Sequence, residues 1–437
     1  MTDHGPWRRA AAALLRGREQ ATVLSALSPS QPDGLLAAIL AESRARDIRL
    51  TLVVADLSGR WDFLAEADEP RWRDGRLRLV ALAGGVPKRL SDDVEYYPHS
   101  LYEIDRYIAD GRIAADVFVA RVSQVSASSG FTLGTMVGYS PAALGRTGCV
   151  GFEVREGEPP AGPQAVIEPK RPTVVCPAWK MAGRGDTGRG AAGPAAHDRI
   201  GRLAAGLIPE DATLQLGLGA VPEAVVPYLA GKRSLGLHSG ILPGSLAPLI
   251  ASGAITGASK TYGMGLHLAT GVLSWPLGPG PATGDGRLRL EPISVTHSPD
   301  ILRQQHRLWA INSAFEVDLL GQVNAEYAGG IRIASGGGQA DFFRAAHQCD
   351  GGASVLVIPA RTKDGRSRIV ADLGSSRRVT SAACDVDYVV TEFGVAHLTA
   401  AAATQRAERL TMIAHPEDRD ALRASSAGPS DSDSLVE

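Results

Sequence analysis

Net charge is nearly absent from this 437-residue chain: 45 lysines and arginines face 47 aspartates and glutamates, a balance of −2 at pH 7. Nucleic acids and anionic membranes are bound through clustered positive charge, so neither is expected as a partner. A local basic pocket for a phosphorylated small molecule is still allowed. Cysteine is scarce as well. The four present (Cys149, Cys176, Cys349, Cys384) show no CxxC and no metal-ligand spacing. They read as reduced thiols of a cytoplasmic protein, which argues against a disulfide scaffold and against a metal site. Long hydrophobic runs are missing too. Nothing approaches the roughly 20 apolar residues of a membrane span. The apolar stretch at 10–15 is bounded by arginines and reads as part of an amphipathic helix, being too short for a signal-peptide core.

Glycine and proline are plentiful, at 50 and 27 residues, so many tight turns and close backbone approaches are expected. The length exceeds what one hydrophobic core supports and points to two domains. In the first half, ATVLSAL (21–27), IRLTLVVADL (48–57), LRLVALAG (77–84), DVFVARVS (116–123) and GCVGFEV (148–154) are apolar on both faces. Runs of this kind suit parallel strands covered by helices on both sides. DGLLAAILAESRAR (33–46) and LYEIDRYIADGR (101–112) carry helical spacing between them. Around 180–198 the sequence turns Gly/Ala-rich and aperiodic, as a linker does. A second alternation follows: DATLQLGLG (211–219), SLGLHSG (234–240), LRLEPISV (288–295), LWAINSAFEVDL (308–319), ASVLVIPA (353–360), RIVADL (368–373) and VDYVVTEFG (386–394). The expected architecture is α/β with mainly parallel sheets, in an N-terminal domain over 1–195 and a C-terminal domain over 196–422. A polar tail over 423–437 is expected to be disordered.

Two glycine loops fall at strand-to-helix turns. In LQLGLGAVPEAVVPYL, Gly217 and Gly219 precede Pro222, which suits a first helical position. The third glycine of a dinucleotide fingerprint is missing, so a nicotinamide cofactor is not expected. In IASGGGQADFFRAA, Gly336, Gly337 and Gly338 sit between a strand and a helix, where consecutive N–H groups can converge on an anion or oxyanion. A flexible hairpin is the plainer alternative. Asp341, just beyond, reads as a cap or pin for the helix that follows.

Taken together, GLGAVP, INSAFEVDLLGQVNAEYAGG, SGGGQADFFRAA, DYVVTEFGVAHL and RAERLTMIAHPEDR resemble the acetyl-CoA hydrolase/transferase family, the group of CoA-transferases that includes 4-hydroxybutyrate CoA-transferase. The likeness is dense over 213–422 and thinner upstream. It implies two tandem CoA-transferase-type α/β domains with the active site in the cleft between them, a homodimer, no metal and no permanently bound cofactor. Coenzyme A or an acyl-CoA would be substrate, together with a small-molecule acceptor. The family moves CoA between carboxylic acids through a covalent glutamyl-CoA thioester. Carried over, Gly336, Gly337, Gly338 and Gln339 would form the oxyanion and CoA-binding loop, with Gly217, Gly219 and Ala220 close to the substrate.

Two departures stand out. The family's glutamate ends a segment of strand, His or Tyr, Thr, Glu; here that segment is GLHSG, so Gly240 stands at its place behind His238 and Ser239. The family's V-N-x-P stretch is here VTHSP, so His297 replaces an asparagine. Three readings follow. The chain acts on an acyl thioester by direct acyl transfer or hydrolysis, with His297 as general base and His238 and Ser239 beside it; or it is a conventional CoA-transferase whose glutamate lies elsewhere; or it is a silent acyl-CoA-binding or regulatory protein. Glu326 and Glu392 match family positions and read as loop supports, and His267, His347 and His415 as ordinary surface or core residues.

Overall fold

The computed structural model describes residues 5–28, 31–65, 74–124, 130–155, 166–167, 173–178, 195–273, 286–375 and 377–426. Most of the expected linker lies outside these residues, and the chain is helical again from Ala195. The closing helix runs to Ser426, and the rest of the expected tail also lies outside them.

In the first half the main elements are α1 (Gly5–Leu14), β1 (Gln20–Ser25), α2 (Asp33–Ala45), β2 (Arg49–Asp56), β3 (Leu77–Gly85), β4 (Val94–Tyr96), α3 (Leu101–Ala109), β5 (Val117–Gln124), β6 (Phe131–Thr132), β7 (Cys149–Arg155), β8 (Val166–Ile167) and β9 (Thr173–Pro177), with a short helix over Ser140–Arg146. The parallel part of the sheet runs β4-β3-β2-β1-β5-β7-β9. Its central strands are buried on both faces, which is why their Val, Leu and Ala runs do not alternate. Helix α3 starts where a capping box allows it to: the Ser100 hydroxyl accepts from the Glu103 N–H, and the Glu103 carboxylate accepts from the Ser100 N–H. Leu101, Ile104 and Ile108 then form its buried stripe.

The second half supplies α4 (Ala195–Leu207), β10 (Thr213–Leu216), β11 (Gly236–Pro243), β12 (His267–Leu273), β13 (Leu288–Leu290), α5 (Ile293–Thr296), β14 (Leu308–Asn312), β15 (Ala334–Ser335), α6 (Gln339–Gln348), β16 (Ala353–Val357), β17 (Tyr388–Thr391), β18 (Gly394–His397) and α7 (Arg419–Ser426), besides the helix Ala403–Ile413 and several short pieces. Its main sheet has the order β13-β12-β11-β10-β14-β16-β17-β18 and is parallel up to the last, antiparallel pair. Both halves are thus α/β with mostly parallel sheets, as the sequence led us to expect. No helix among the described residues is long and apolar enough to cross a membrane.

The two sheets are joined by backbone and by core. Strand β15 leaves the second half to pair with Gly84 and Gly85 of β3. In the other direction, Val137 N–H donates to the Thr270 carbonyl (2.9 Å) and Val272 N–H to the Thr135 carbonyl (2.9 Å). One apolar cluster runs from Leu24, Val53 and Phe118 to Leu214, Leu237 and Val355, so the sheets bury part of their faces in a common core. Helices α1 and α2 cover the outer face of the first sheet, and α6 packs Phe343 and Ala346 onto the second.

Two local differences from the sequence reading matter for the site. The strand expected to run out at Gly240 continues to Pro243, paired with β12. Its other neighbour, β10, is in register with it only at Gly236 and Leu237. Gly240 therefore lies past the end of β10, on a strand that is free on that side. The run LRLEPISV is not one strand: β13 stops at Leu290, and Pro292 in extended conformation caps the short helix α5. A proline there ends strand pairing, because it has no N–H to give to a ladder, and it starts a helix well.

Candidate active site

Helix α5 ends at Thr296 and hands the chain to His297. The imidazole packs on the Phe342 ring of α6, with 4.8 Å between centroids. It is 1% exposed. Burial pushes its pKa down to about 3, so the ring is neutral throughout the physiological range. Its Nδ1 is 2.9 Å from the Thr296 hydroxyl. Its Nε2 makes no hydrogen bond to any described residue.

Two glycines flank that nitrogen. A Cβ on Gly240 would stand 3.2 Å from Nε2, and one on Gly338 would stand 2.5 Å from it. The structure thus brings together His297, Gly240 and the end of the glycine loop, which lie far apart in sequence. Neither glycine has a positive φ, so what each supplies here is the absent side chain. Gly338→Ala should accordingly push the imidazole out of place and cost at least tenfold in any His297-dependent rate, whereas Gly240→Ala needs a shift of only tenths of an ångström and should cost far less. Steady-state kinetics on the two variants, with circular dichroism to verify folding, checks the contrast.

The glycine loop itself is held from the first half of the chain. Gly336 packs so tightly on the backbone of His99 that a Cβ would fall 2.4 Å from its carbonyl oxygen. Leu101 N–H donates to the Gly337 carbonyl at 3.3 Å. Asp341, expected to serve its own helix, instead accepts from Tyr102 N–H of α3 at 3.2 Å; burial raises its pKa to about 7. Gly338 is the N-cap of α6, whose first-turn N–H groups have no intrahelical acceptor and face the loop. Gln339 opens the helix, and its side-chain Nε2 is buried without a partner among the described residues.

His238 and Ser239 lie behind this center, in β11. His238 is fully buried, and burial together with the nearby Lys260 charge drives its pKa to about 3. Both of its ring nitrogens are engaged, Nδ1 with Gln305 Nε2 (2.8 Å) and Nε2 with the Thr296 carbonyl (3.1 Å). The Ser239 hydroxyl is spent on the carbonyls of Leu216 and Ile241, each at 3.4 Å. Both ring nitrogens of His238 are thus committed, and the single Ser239 proton is shared between two backbone carbonyls.

Gly217 and Gly219 follow β10. A Cβ on Gly217 would meet the Asn312 amide oxygen at 2.5 Å, and Asn312 pairs reciprocally with Gln215. Gly219 adopts φ +132°, a conformation closed to other residues, and Ala220 starts the short helix Ala220–Glu223. Pro222 is its third residue and not its first, still within the turn whose N–H groups lack partners. A cavity of about 540 Å³ opens on the far side of the glycine loop, lined by Tyr96, Arg106, Gly336, Gly337, Arg344 and Arg378 among others. His297 is not in its wall. Sequence reasoning did not single out Thr296, Gln305 or Phe342; Phe342, four residues after Gly338, could have been found from helical spacing alone.

Residues 284–426 match the family model of the acetyl-CoA hydrolase/transferase C-terminal domain. The 4-hydroxybutyrate coenzyme A transferase of Clostridium kluyveri is 28% identical over 412 residues, 92% of each chain. Its last third thus matches the acetyl-CoA hydrolase/transferase family, and the chain as a whole is similar to CoA-transferases. Solved structures of similar fold include a 4-hydroxybutyrate CoA-transferase from Porphyromonas gingivalis (TM-score 0.71, 26% identity, 96% of each chain). RipA from Yersinia pestis superposes with a TM-score of 0.80 at 25% identity, again over 96% of each chain. The glycine loop at Gly338 and strand β11 at Gly240 meet at His297 Nε2.

Proposed function

We propose that this protein acts on an acyl-CoA thioester and passes the acyl group directly to water or another small nucleophile, with no glutamyl-CoA intermediate. The observation that carries this reading is the neutral Nε2 of His297, which no described residue hydrogen-bonds, between Gly240 and Gly338. Nε2 takes the proton of the nucleophile as its lone pair attacks the thioester carbon. The carbonyl oxygen becomes an oxyanion beside the first turn of α6, where N–H donors of the glycine loop stabilise it. Collapse re-forms the carbonyl and breaks the C–S bond, and the imidazolium returns its proton to the departing sulfur. In the resting site the ring is a weak base, and the oxyanion that forms beside it raises its proton affinity during the step; once that oxyanion collapses, the imidazolium gives the proton up readily. Arg106 and Arg378 in the adjoining cavity are suited to a phosphorylated ligand.

The test is release of free thiol from a panel of short acyl-CoAs, with and without acceptors, by wild type and His297→Ala. General-base assistance is worth roughly 10²–10⁴ in rate, and a loss of that size is expected. Since His297 stays neutral well below its ordinary value, the wild-type rate should be flat from pH 5 to 8, without the inflection near 6.5 of an exposed histidine. Turnover indifferent to His297 but dependent on a carboxylic acid acceptor would support a conventional CoA-transferase. Binding of CoA without any turnover would support a silent binding protein.

A further inference from the structure

A base is useful only if its lone pair points at the reactant, so the tautomer of His297 has to be set by something. Two contacts meet at Thr296: His238 holds its backbone carbonyl, and its hydroxyl lies against His297 Nδ1. Gln305, 2% exposed, pairs its carboxamide with the backbone of Tyr262: Oε1 accepts from Tyr262 N–H (3.4 Å) and Nε2 donates to the Tyr262 carbonyl (3.1 Å). That pairing fixes which end of the amide is nitrogen. The same Nε2 donates to His238 Nδ1 at 2.8 Å. His238 is neutral, so with Nδ1 accepting, its one proton is on Nε2, where it is donated to the Thr296 carbonyl at 3.1 Å. Every atom up to the end of α5 is thereby assigned.

The Thr296 hydroxyl has one proton and two neighbours, the Pro292 carbonyl at 3.3 Å and His297 Nδ1 at 2.9 Å. Helical threonines commonly donate to the carbonyl four residues back, which is Pro292 here. We infer that Thr296 does so, that its oxygen accepts Nδ1–H of His297, and that the lone pair of His297 is therefore on Nε2, between Gly240 and Gly338. Thr296 is then a positioning residue. His238 and Gln305 hold it in turn, which gives His238 a supporting role in place of a chemical one. The consequence for rate rests on the proposed role of His297; the tautomer does not.

The experiment is long-range ¹⁵N–¹H correlation NMR on ¹⁵N-histidine-labelled enzyme, with His297 assigned by its loss in His297→Gln. Wild type should show a protonated Nδ1 and a bare Nε2 at His297, and the reverse at His238. Thr296→Val keeps the side-chain shape and removes the hydroxyl; it should shift His297 to the Nε2–H form or to a mixture and lower kcat at least tenfold with little change in KM. Thr296→Ser should restore both. An Nε2–H His297 in wild type, or a Thr296→Val spectrum unchanged at His297, overturns the inference. If the spectra come out as expected and wild type releases no thiol, the inference stands and the proposed function fails.

Discussion

Gly240→Glu combined with His297→Asn should turn this protein into one that becomes covalently loaded with CoA. Position 240 is where the resemblance places the family's glutamate, and His297 is where it places an asparagine. The two sites touch. A Cβ at 240 would stand 3.2 Å from His297 Nε2 and 3.3 Å from Cε1, closer than side chains ordinarily approach. A glutamate introduced alone would share its space with the imidazole and with the Phe342 ring packed on it, 3.7 Å from the new Cβ. The shorter asparagine withdraws from that space. Intact-protein mass spectrometry after addition of an acyl-CoA should therefore show a CoA adduct, less one water, in the double variant and none in wild type. The single Gly240→Glu variant should load at least tenfold less. Equal loading of single and double variants would mean that the two positions do not compete, and no loading of either would remove position 240 from the site of the glutamate.

Acid should destabilise wild type relative to His297→Asn. His297 is held at about 3 by burial, whereas an unfolded chain protonates it near 6.5. Between those values the unfolded state binds a proton that the native state does not, so stability falls as pH falls, by about 1.4 kcal/mol per pH unit. Two units below 6.5 the loss is about 2.7 kcal/mol, a large share of the total stability of a typical domain. His238 follows the same rule. Asp105 and Asp341, both raised to about 7 by burial, change in the opposite sense, because the native state holds protons that the unfolded state gives up above its own carboxyl values. The absolute pH profile is thus a sum of opposed slopes. The difference between wild type and the histidine variant isolates one of them. Urea unfolding at pH 7, 6, 5 and 4.5 should show that difference moving against wild type at the stated rate below pH 6.5. A constant difference would mean that His297 titrates in the native state near its ordinary value, and that it is solvated.

Much of the architecture was legible because doubly covered parallel strands write their burial into unbroken apolar runs. All five strand runs of the first half appear at their expected places, and α3 was readable from its spacing. What could not be read were events decided across the chain. The end of a strand depends on its partners: β11 outlasts β10 because β12 continues to pair with it. Asp341 serves α3, not its own helix, because the fold brings Tyr102 to it across the sequence. Likewise β15, two residues long, pairs with β3 in the other half, and nothing in Ala334 or Ser335 announces that partner. The glycines of the site were visible as a composition, but their purpose was not. Only the structure shows that Gly338 leaves room for His297, while Gly336 leaves room for the His99 carbonyl. His238 was singled out for its place beside Gly240, yet both its nitrogens are committed to Gln305 and Thr296, a fact no local pattern encodes.

The mass of the wild-type protein, followed while it releases thiol from an acyl-CoA, bears most directly on whether a glutamyl-CoA intermediate has been abandoned. If His297 Nε2 delivers the nucleophile straight to the thioester, thiol accumulates over many turnovers while the protein keeps its unmodified mass at every time point. A CoA adduct on any aspartate or glutamate, appearing and disappearing at the rate of turnover, would contradict that mechanism and favour a conventional CoA-transferase.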